Sequence, residues 1–398
     1  MSDETVRGDE TVRSQETERL RRAVDFFART QCAGVSPFYE QVCRYLVTDD
    51  AMLELLLAAP LEQRRPSLFF GALNHLVTLH RDDPLAGYFP NLGGAVASDA
   101  VLGRELTRFV HQHGDHFRQL LGTRTTQTND VRRSYVLGTG LSAAAQHMPA
   151  PLDVVELGAS AGLNLLYDRY RHTVNDETVF SPARAETCEI RILGKGGKGE
   201  PGDSGPSENA DGPGNHPWPI ARTRTGVDLQ PVDIRESEDR AWLRSFVWPE
   251  MTEELRTLDA AIAVAREDGP PPVLKADALA YLGRLAESPH DGSSLVVFTC
   301  SLLTYLTAAR SRRILRHLQA VARTRPVAWL YAESPLLART AGLAPPELAG
   351  ELGQVAETYA IGLTVLTGDR RQDMLLGIAD PYLRWIESVP GRKERHGG

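Results

Sequence analysis

The sequence predicts an α/β protein in which a helical unit precedes a mostly parallel sheet that ends in an antiparallel hairpin. Three observations lead to this prediction. Residues 16–150 carry helical spacing, with turn signals between the segments. Residues 153–157 form a short apolar run that enters a glycine-rich turn, as a buried parallel strand does. Further apolar runs then alternate with helix-compatible stretches, which is the pattern of βα units.

The N-terminal region is expected to contain helices only, after a short polar tail. Residues 1–15 repeat Asp-Glu-Thr-Val-Arg at 3–7 and 9–13, and we expect a disordered tail there. A first helix is predicted over 16–30, because Leu20, Val24 and Phe27 fall on one face. The helical unit over 16–150 is interpreted as a cap or substrate domain. Further helices are predicted over 38–46, 51–59, 66–81, 100–121 and 131–147.

The segment Asp153-Val-Val-Glu-Leu-Gly-Ala-Ser-Ala-Gly-Leu-Asn164 is the most informative part of the chain. Its strand ends near Glu156. Ser160 is then flanked by Gly158 and Gly162, and a helix-compatible stretch follows. Glycine allows positive φ and close approach to another molecule, and a helix N-terminus offers unpaired N–H groups. We therefore expect a ligand site here. The alternative is a strand-to-helix turn that binds nothing.

The spacing of the small residues leaves several chemistries open. A dinucleotide fingerprint requires Gly-x-Gly-x-x-Gly, whereas the small residues here fall at 158, 160 and 162. Gly-Ala-Ser-Ala-Gly is also a nucleophile elbow, in which Ser160 would be the attacking group of a serine hydrolase. That fold places several strands before the serine and a histidine after it. The segment before Ser160 is predicted to be helical, and His172 and His216 lie near or inside a predicted insertion, which disfavours the hydrolase.

The same segment resembles motif I of the class I S-adenosylmethionine-dependent methyltransferases. The resemblance implies that Glu156 lies near the methionine end of the cofactor and that the glycine turn passes beneath it. Arg224-Thr-Gly-Val-Asp228-Leu-Gln-Pro resembles the family's second strand, whose terminal carboxylate accepts hydrogen bonds from the ribose hydroxyls. Val273-Leu-Lys-Ala-Asp277-Ala resembles the third, whose Asp faces the adenine amino group. The implied cofactor-binding residues are Glu156, Gly158, Ala159, Ser160, Gly162, Asn164, Asp228, Asp277 and Ala278.

The side of the site that faces the methyl acceptor is expected after the fourth and fifth strands, 294–300 and 326–332. Ligands of open α/β sheets bind outside the carboxyl ends of the strands, so Ser301, Tyr305 and Glu333 are the candidate catalytic residues. Methyl transfer from a sulfonium mainly requires alignment of donor and acceptor, and a base only if the acceptor loses a proton. A non-catalytic nucleotide-binding or scaffold protein on the same fold is the alternative.

The resemblance implies a Rossmann-like methyltransferase-type domain over 151–390, closed by a hairpin near 359–366 and 373–378. Within it, 194–217 is rich in glycine, proline and polar residues, and is expected to be a flexible insertion. A phosphate site at Lys195, Gly197 and Lys198 is disfavoured because the P-loop pattern is missing.

Composition restricts the partners and the compartment. The net charge of −8 argues against a nucleic-acid surface, and the fourth strand is not followed by Asn/Asp-Pro-Pro-Tyr, so a small-molecule acceptor is expected. No apolar run approaches the roughly 20 residues that span a bilayer, and no targeting segment is recognised, so a cytoplasmic location is expected. The widely spaced Cys32, Cys43, Cys188 and Cys300 predict buried, reduced thiols. The histidines near residue 113 have poor ligand spacing, and no metal site is predicted.

At a finer level, nearly the whole chain resembles an uncharacterised prokaryotic domain-of-unknown-function family (number twenty-three thirty-two). The recurrent phrases are Glu-Leu-Gly-Ala-Ser-Ala-Gly-Leu-Asn and Gly-Val-Asp-Leu-x-Pro-Val-Asp, and the resemblance covers about 26–385. It supports the fold and implies no particular reaction.

Overall fold

The computed structural model describes residues 3–127, 130–182, 188–195, 218–287, 292–349 and 358–388. It has an α/β fold, as the sequence predicts. The chain divides into two compact units. Met1–Asn129 and Arg235–Arg256 form the helical unit, and Asp130–Ile234 with Thr257–Gly398 form the sheet unit.

The described residues contain twelve α-helices, most of them at the predicted positions. In chain order they are α1 Asp3–Phe27, α2 Pro37–Leu46, α3 Asp50–Leu55, α4 Pro66–Leu79, α5 Leu102–Gln112, α6 Gly114–Thr123, α7 Arg133–Ala145, α8 Ser237–Arg244, α9 Thr252–Asp268, α10 Ala278–Leu285, α11 Ala308–Val321 and α12 Pro335–Ala341. None of the helices in this part of the chain has the length and apolar character needed to cross a membrane.

The described residues also form eleven strands in one mixed sheet. In chain order they are β1 Leu152–Leu157, β2 Arg171–Val174, β3 Glu177–Phe180, β4 Glu189–Gly194, β5 Thr223–Asp228, β6 Val273–Lys275, β7 Ser294–Cys300, β8 Val327–Glu333, β9 Tyr359–Thr367, β10 Arg370–Ala379 and β11 Trp385–Ser388. The order across the sheet is β3-β2-β4-β11-β10-β9-β8-β7-β1-β5-β6.

The sheet reverses its order of strands at β1. After β1 the chain adds β5 and β6 on one side, and then β7 and β8 on the other, all of them parallel to β1. Strand β9 is antiparallel to β8 and forms a hairpin with β10, which confirms the predicted C-terminal hairpin. In open α/β sheets the reversal point is where ligands bind, at the carboxyl ends of the strands.

The helical unit is built around α4, whose residues are apolar on most faces. Leu68, Phe69, Leu73 and Leu76 are all buried, as expected for a helix without a polar side. The later segment 235–256 belongs to this unit because Asn74 donates to the backbone oxygens of Ser245 and Val247, at 3.1 Å each. The Glu250 carboxylate also accepts hydrogen bonds from the Ser36 hydroxyl and the Phe38 N–H, at 2.8 and 2.9 Å.

Two boundaries differ from the prediction of a tail over 1–15 and a helical unit over 16–150. Helix α1 begins at Asp3, and Arg13 within it forms an ion pair with Glu54 of α3. A solvated helix can be this polar, so a polar composition alone does not identify a tail. Helix α7 belongs to the sheet unit, where its buried apolar side chains, such as Val136 and Leu137, pack.

The chain after the glycine turn also differs from the prediction. In place of the expected α-helix, Leu163–Arg169 forms a 3₁₀ segment with a kink at Leu166, and the chain then enters β2. The guanidinium of Arg224 holds this segment by donating to the Leu165 carbonyl oxygen and the Asp168 carboxylate, at 2.9 and 2.6 Å. A tertiary contact therefore overrides the helical spacing, and short 3₁₀ segments are common as connectors.

The cysteine prediction is confirmed, since Cys32, Cys43, Cys188 and Cys300 are all buried and free. The predicted insertion 194–217 lies largely outside the described residues, and so do Gly197 and Lys198 of the disfavoured phosphate site. Its first residues are described. Gly194 ends β4, and the Lys195 ammonium lies 3.7 Å from the ring centroid of Trp385.

Replacing Gly140 of α7 by alanine is expected to destabilise the protein by about 1–3 kcal/mol. Alanine favours a helix over glycine by about 1 kcal/mol, so packing decides whether the substitution raises or lowers the free energy of unfolding. An added Cβ would lie 2.3 Å from Cδ2 of Leu330, a fully buried residue of β8, so the tightly packed core would have to shift. Urea unfolding measures the change, with Ser142→Ala on the same helix as the control. A stabilised Gly140→Ala variant would contradict this packing.

Candidate functional site

The glycine turn after β1 requires its glycines. Gly158 and Gly162 have φ of +75° and +74°, in the left-handed region that favours glycine. The Gly158 N–H donates to the Val227 carbonyl oxygen at 2.8 Å, which holds the turn against the end of β5. A Cβ on Gly162 would lie 2.9 Å from Val273 Cγ2. The two glycines therefore meet a conformational and a packing requirement of this turn.

Asp228 joins the end of β5 to the same turn. The Ser160 N–H donates to its Oδ2 and the Gln230 N–H to its Oδ1, at 2.9 Å each. Burial raises the pKa of this carboxyl, against the opposing effect of the backbone N–H donors. Ser160 itself has φ of +52°, which is uncommon for a residue other than glycine. The hydrogen bond to Asp228 holds Ser160 in this conformation, together with a bond from the Val232 N–H to the Ser160 carbonyl oxygen at 3.2 Å.

Glu156 is buried at the end of β1, with 3% of its surface exposed. Its Oε1 accepts a hydrogen bond from Asn164 Nδ2 at 2.8 Å. Burial raises the pKa of Glu156 to about 8, although Asn164 and Arg133 oppose the increase. The carboxyl is therefore mostly protonated at neutral pH in the ligand-free protein.

Three buried oxygens of this turn have no hydrogen-bond partner among the described residues. They are Glu156 Oε2, Ser160 Oγ and Asn164 Oδ1. Buried polar groups in folded proteins are nearly always hydrogen-bonded, and a cluster of exceptions requires an explanation. All three belong to the nine-residue segment 156–164 that the sequence predicts as a ligand site. A polar ligand at the turn would supply the missing partners.

Asp277 and Ala278 follow β6, and the structure gives Asp277 a local role. Its Oδ1 accepts from the N–H groups of Leu279 and Ala280 at 3.0 Å each, which caps α10. Its Oδ2 forms an ion pair with Arg310. The carboxylate therefore has less remaining capacity to accept hydrogen bonds than Asp228.

Ser301 and Glu333 are close together, since Ser301 directly follows β7 and Glu333 is the last residue of β8. The Ser301 hydroxyl lies 2.9 Å from the Tyr359 hydroxyl, and its backbone has φ of +57°. Glu333 is 1% exposed and accepts from the Leu302 N–H at 2.9 Å. Burial raises the pKa of Glu333 to about 7. Tyr305 is half-buried at the end of the 3₁₀ turn Leu303–Tyr305.

Arg133 is a residue of this region that the sequence prediction missed. It is 7% exposed and donates to the Cys300 carbonyl oxygen and the Ser301 Oγ, at 3.0 Å each. It lies near enough to Glu156 and Glu333 to lower the pKa of both carboxyls, against the larger effect of burial. One signal was available in the sequence. An arginine is unfavourable at a helix N-terminus, where the helix dipole is positive, so its place at the start of α7 needs a reason.

The nucleophile-elbow alternative lacks a base in the described part of the chain. The Ser160 hydroxyl has no partner there, and Nε2 of the buried His172 lies 2.9 Å from the Tyr167 carbonyl oxygen. His317 is on α11, and His216, His290 and His396 lie outside the described residues. The geometry around Ser160 therefore does not favour nucleophilic catalysis.

The fold and the site define an α/β protein with a buried polar site at the carboxyl ends of β1, β5, β7 and β8. The chain belongs to the family described as "Uncharacterized protein conserved in bacteria (DUF2332)", which matches residues 21–388. This confirms the family resemblance of the sequence, and the matched residues are nearly the same as the predicted range of about 26–385. No curated protein and no solved structure matches the chain.

Proposed function

We propose that the protein is an S-adenosylmethionine-dependent methyltransferase with a small-molecule acceptor. The observation that carries the proposal is the turn Gly158–Gly162, which is hydrogen-bonded to Asp228 and adjoins three buried oxygens that have no partner in the described part of the chain. Its position at the reversal point of the strand order is a further support. The order β6-β5-β1-β7-β8 supports the proposal because it matches the order expected of a Rossmann-like sheet, and the antiparallel β9 agrees with the methyltransferase resemblance.

The chemistry of the donors and acceptors fits this cofactor. The Asp228 carboxylate accepts backbone N–H bonds from Ser160 and Gln230, one on each oxygen, and a carboxylate offers about four acceptor sites, so capacity remains for ribose hydroxyls. Glu156 Oε2 suits the ammonium group of the methionine part, and Ser160 Oγ can donate or accept beside it. Asp277 and Ala278 would lie at the adenine end. The capping bonds of Asp277 make its contribution smaller than that of Asp228.

When bound, the cofactor supplies a methyl group on a sulfonium. The residues of this chain would orient the two ligands and exclude water, because in-line transfer depends mainly on alignment. Ser301, Tyr305 and Glu333 would face the acceptor. Glu333 is a suitable base for an acceptor that loses a proton, since its pKa of about 7 lies near the pH of the cell.

Isothermal titration with S-adenosylmethionine and S-adenosylhomocysteine tests the proposal, with NAD as the control ligand. We expect micromolar binding of the first two, loss of binding in Glu156→Ala, and no heat with NAD. Glu177→Ala is the matched control variant, because Glu177 is exposed on β3. No binding of either cofactor form to folded, ligand-free protein would reject the methyltransferase. The non-catalytic scaffold would then become the better hypothesis.

A further inference from the structure

Among the described residues of the sheet unit, Arg133 is a deeply buried guanidinium with no carboxylate in ion-pair contact. Arg133 is more than nine-tenths buried, and its two hydrogen bonds go to neutral oxygens of Cys300 and Ser301. Its Nε has no partner among the described residues, and within them no acidic side chain is ion-paired with it. A buried charge without a counter-charge is costly, and proteins normally pair it.

Other arginines of the same unit show how this chain normally treats such groups. Arg224 forms a two-pronged ion pair with Asp168, at 2.6 and 2.7 Å. Arg222 does the same with Asp153, at 2.9 and 2.7 Å. The side chain of Arg325 is 10% exposed and lies 3.5 Å from the Asp153 carboxylate. Arg133 is more deeply buried than Arg222, and no carboxylate of the described residues forms an ion pair with it, so its charge lacks the direct partner that the other arginines have.

The groups around Arg133 are suited to a ligand with one negative charge. Burial keeps the pKa of Glu156 and Glu333 at about 8 and about 7, so both carboxyls are largely protonated at slightly acid pH. The Asp130 carboxylate is near enough to act electrostatically on the guanidinium but forms no ion pair with it in the described part of the chain, so the positive charge has no direct partner. A dianion such as sulfate would meet the partial negative charge of the carboxyl oxygens, whereas a monoanion matches the single guanidinium.

We propose that Arg133 binds the carboxylate of the methyl acceptor, which is therefore a small organic monocarboxylic acid. The assignment to the acceptor rests on the proposed function and on the contact of Arg133 with Ser301, which follows β7. The Ser301 hydroxyl, bonded to the Tyr359 hydroxyl, can donate to the second oxygen of the same carboxylate. Arg133 is thus a residue that determines substrate specificity.

A panel of acids and their matched amides tests the inference on the wild-type protein. The pairs are acetate and acetamide, benzoate and benzamide, and phenylacetate and phenylacetamide, each titrated at pH 6.5 in the presence and absence of S-adenosylhomocysteine. We expect at least one acid to bind ten-fold or more tightly than its amide. Equal binding of acids and amides, or no binding of any acid, would overturn the inference. This comparison needs no variant and does not depend on how a variant folds.

Substitutions then locate the carboxylate. In Arg133→Gln we expect the preference for the acid over its amide to fall at least ten-fold. In Arg133→Lys, which keeps the charge but lacks Nε, we expect this preference to fall by less. Arg132→Gln is the matched control, since Arg132 is the preceding residue and its guanidinium lies 3.8 Å from Asp130. An unchanged preference in folded Arg133→Gln would overturn the assignment. Equal loss in Arg132→Gln would do so too, because a general charge effect would then explain the binding.

The same titrations separate this inference from the proposed function. Acid binding that depends on Arg133, without any binding of S-adenosylhomocysteine, would reject the methyltransferase and retain a carboxylate site. Normal binding of S-adenosylhomocysteine without any preference for acids would retain the methyltransferase and reject the carboxylate. If Arg133→Gln weakens S-adenosylhomocysteine binding and that ligand displaces the acid, Arg133 serves the cofactor, and its assignment to the acceptor is overturned.

Discussion

Replacing Asp228 by alanine is expected to weaken the binding of S-adenosylmethionine at least 100-fold. In the proposed complex its two oxygens accept from the ribose hydroxyls, and hydrogen bonds to a charged group contribute about 1.5–3 kcal/mol each. The loss of two such bonds corresponds to about 3 kcal/mol or more, which is two orders of magnitude in Kd. The substitution also removes the acceptor of the Ser160 N–H, which holds the glycine turn. Isothermal titration measures the affinity.

The control for this prediction is Asp277→Ala. Because Asp277 already caps α10 and pairs with Arg310, its removal is expected to cost stability more than affinity. Urea unfolding of both variants separates the two effects, since each should retain its fold at the temperature of the titration. Binding that survives in Asp228→Ala and is lost in Asp277→Ala would contradict the proposed orientation of the cofactor.

Replacing Glu156 by glutamine is expected to stabilise the ligand-free protein at high pH. The folded-state pKa of Glu156 is about 8, against an ordinary value of about 4.5, so the native protein binds more protons between these two pH values. Its stability therefore falls as pH rises through this window, by on the order of 4 kcal/mol from this group alone. Glutamine resembles the protonated carboxyl and does not titrate. The advantage of Glu156→Gln should be small near pH 4.5 and fully present above pH 8.

Urea unfolding at pH 4.5, 6.5 and 9 measures this advantage, with Glu177→Gln as the control at an exposed position of β3. The wild-type protein and the control should lose stability in parallel as pH rises. If the stability of Glu156→Gln follows the same dependence on pH, the Glu156 carboxyl ionises without a cost in stability, which would contradict its burial in the folded protein. The stabilised variant should also lose affinity for S-adenosylmethionine, because it cannot provide a negative charge for the ammonium group.

Several elements of the fold follow from the sequence because their signals are local. The strand at 152–157, the glycine turn and the C-terminal hairpin could be predicted from apolar runs and turn residues alone. The helix predicted after the turn was wrong in type, because Arg224, distant in sequence, holds Leu163–Arg169 in a 3₁₀ conformation. Strands β2 and β3 were not predicted, since each has four residues and pairs through long-range contacts.

The residues of the candidate site also fall into two groups, those that the sequence predicts and those that only the structure places. Motif residues such as Glu156, Ser160 and Asp228 could be named from the sequence, and the structure brings the Ser160 N–H and the Asp228 carboxylate within 2.9 Å. Their binding roles stay predictions. Arg133 could not be placed, because its proximity to Ser301 spans 168 residues and no local pattern encodes it.

The sequence by itself determined the α/β class, the family, the glycine turn and the order of the acidic residues that end the strands. These depend on residue types at short spacing, which a local pattern records. Only the tertiary structure decided that Asp277 is a helix cap, that Glu156 is buried enough to keep its proton, and that Arg133 lies beside Ser301. Burial and electrostatics depend on segments far apart in the chain, and they exist only once those segments have packed.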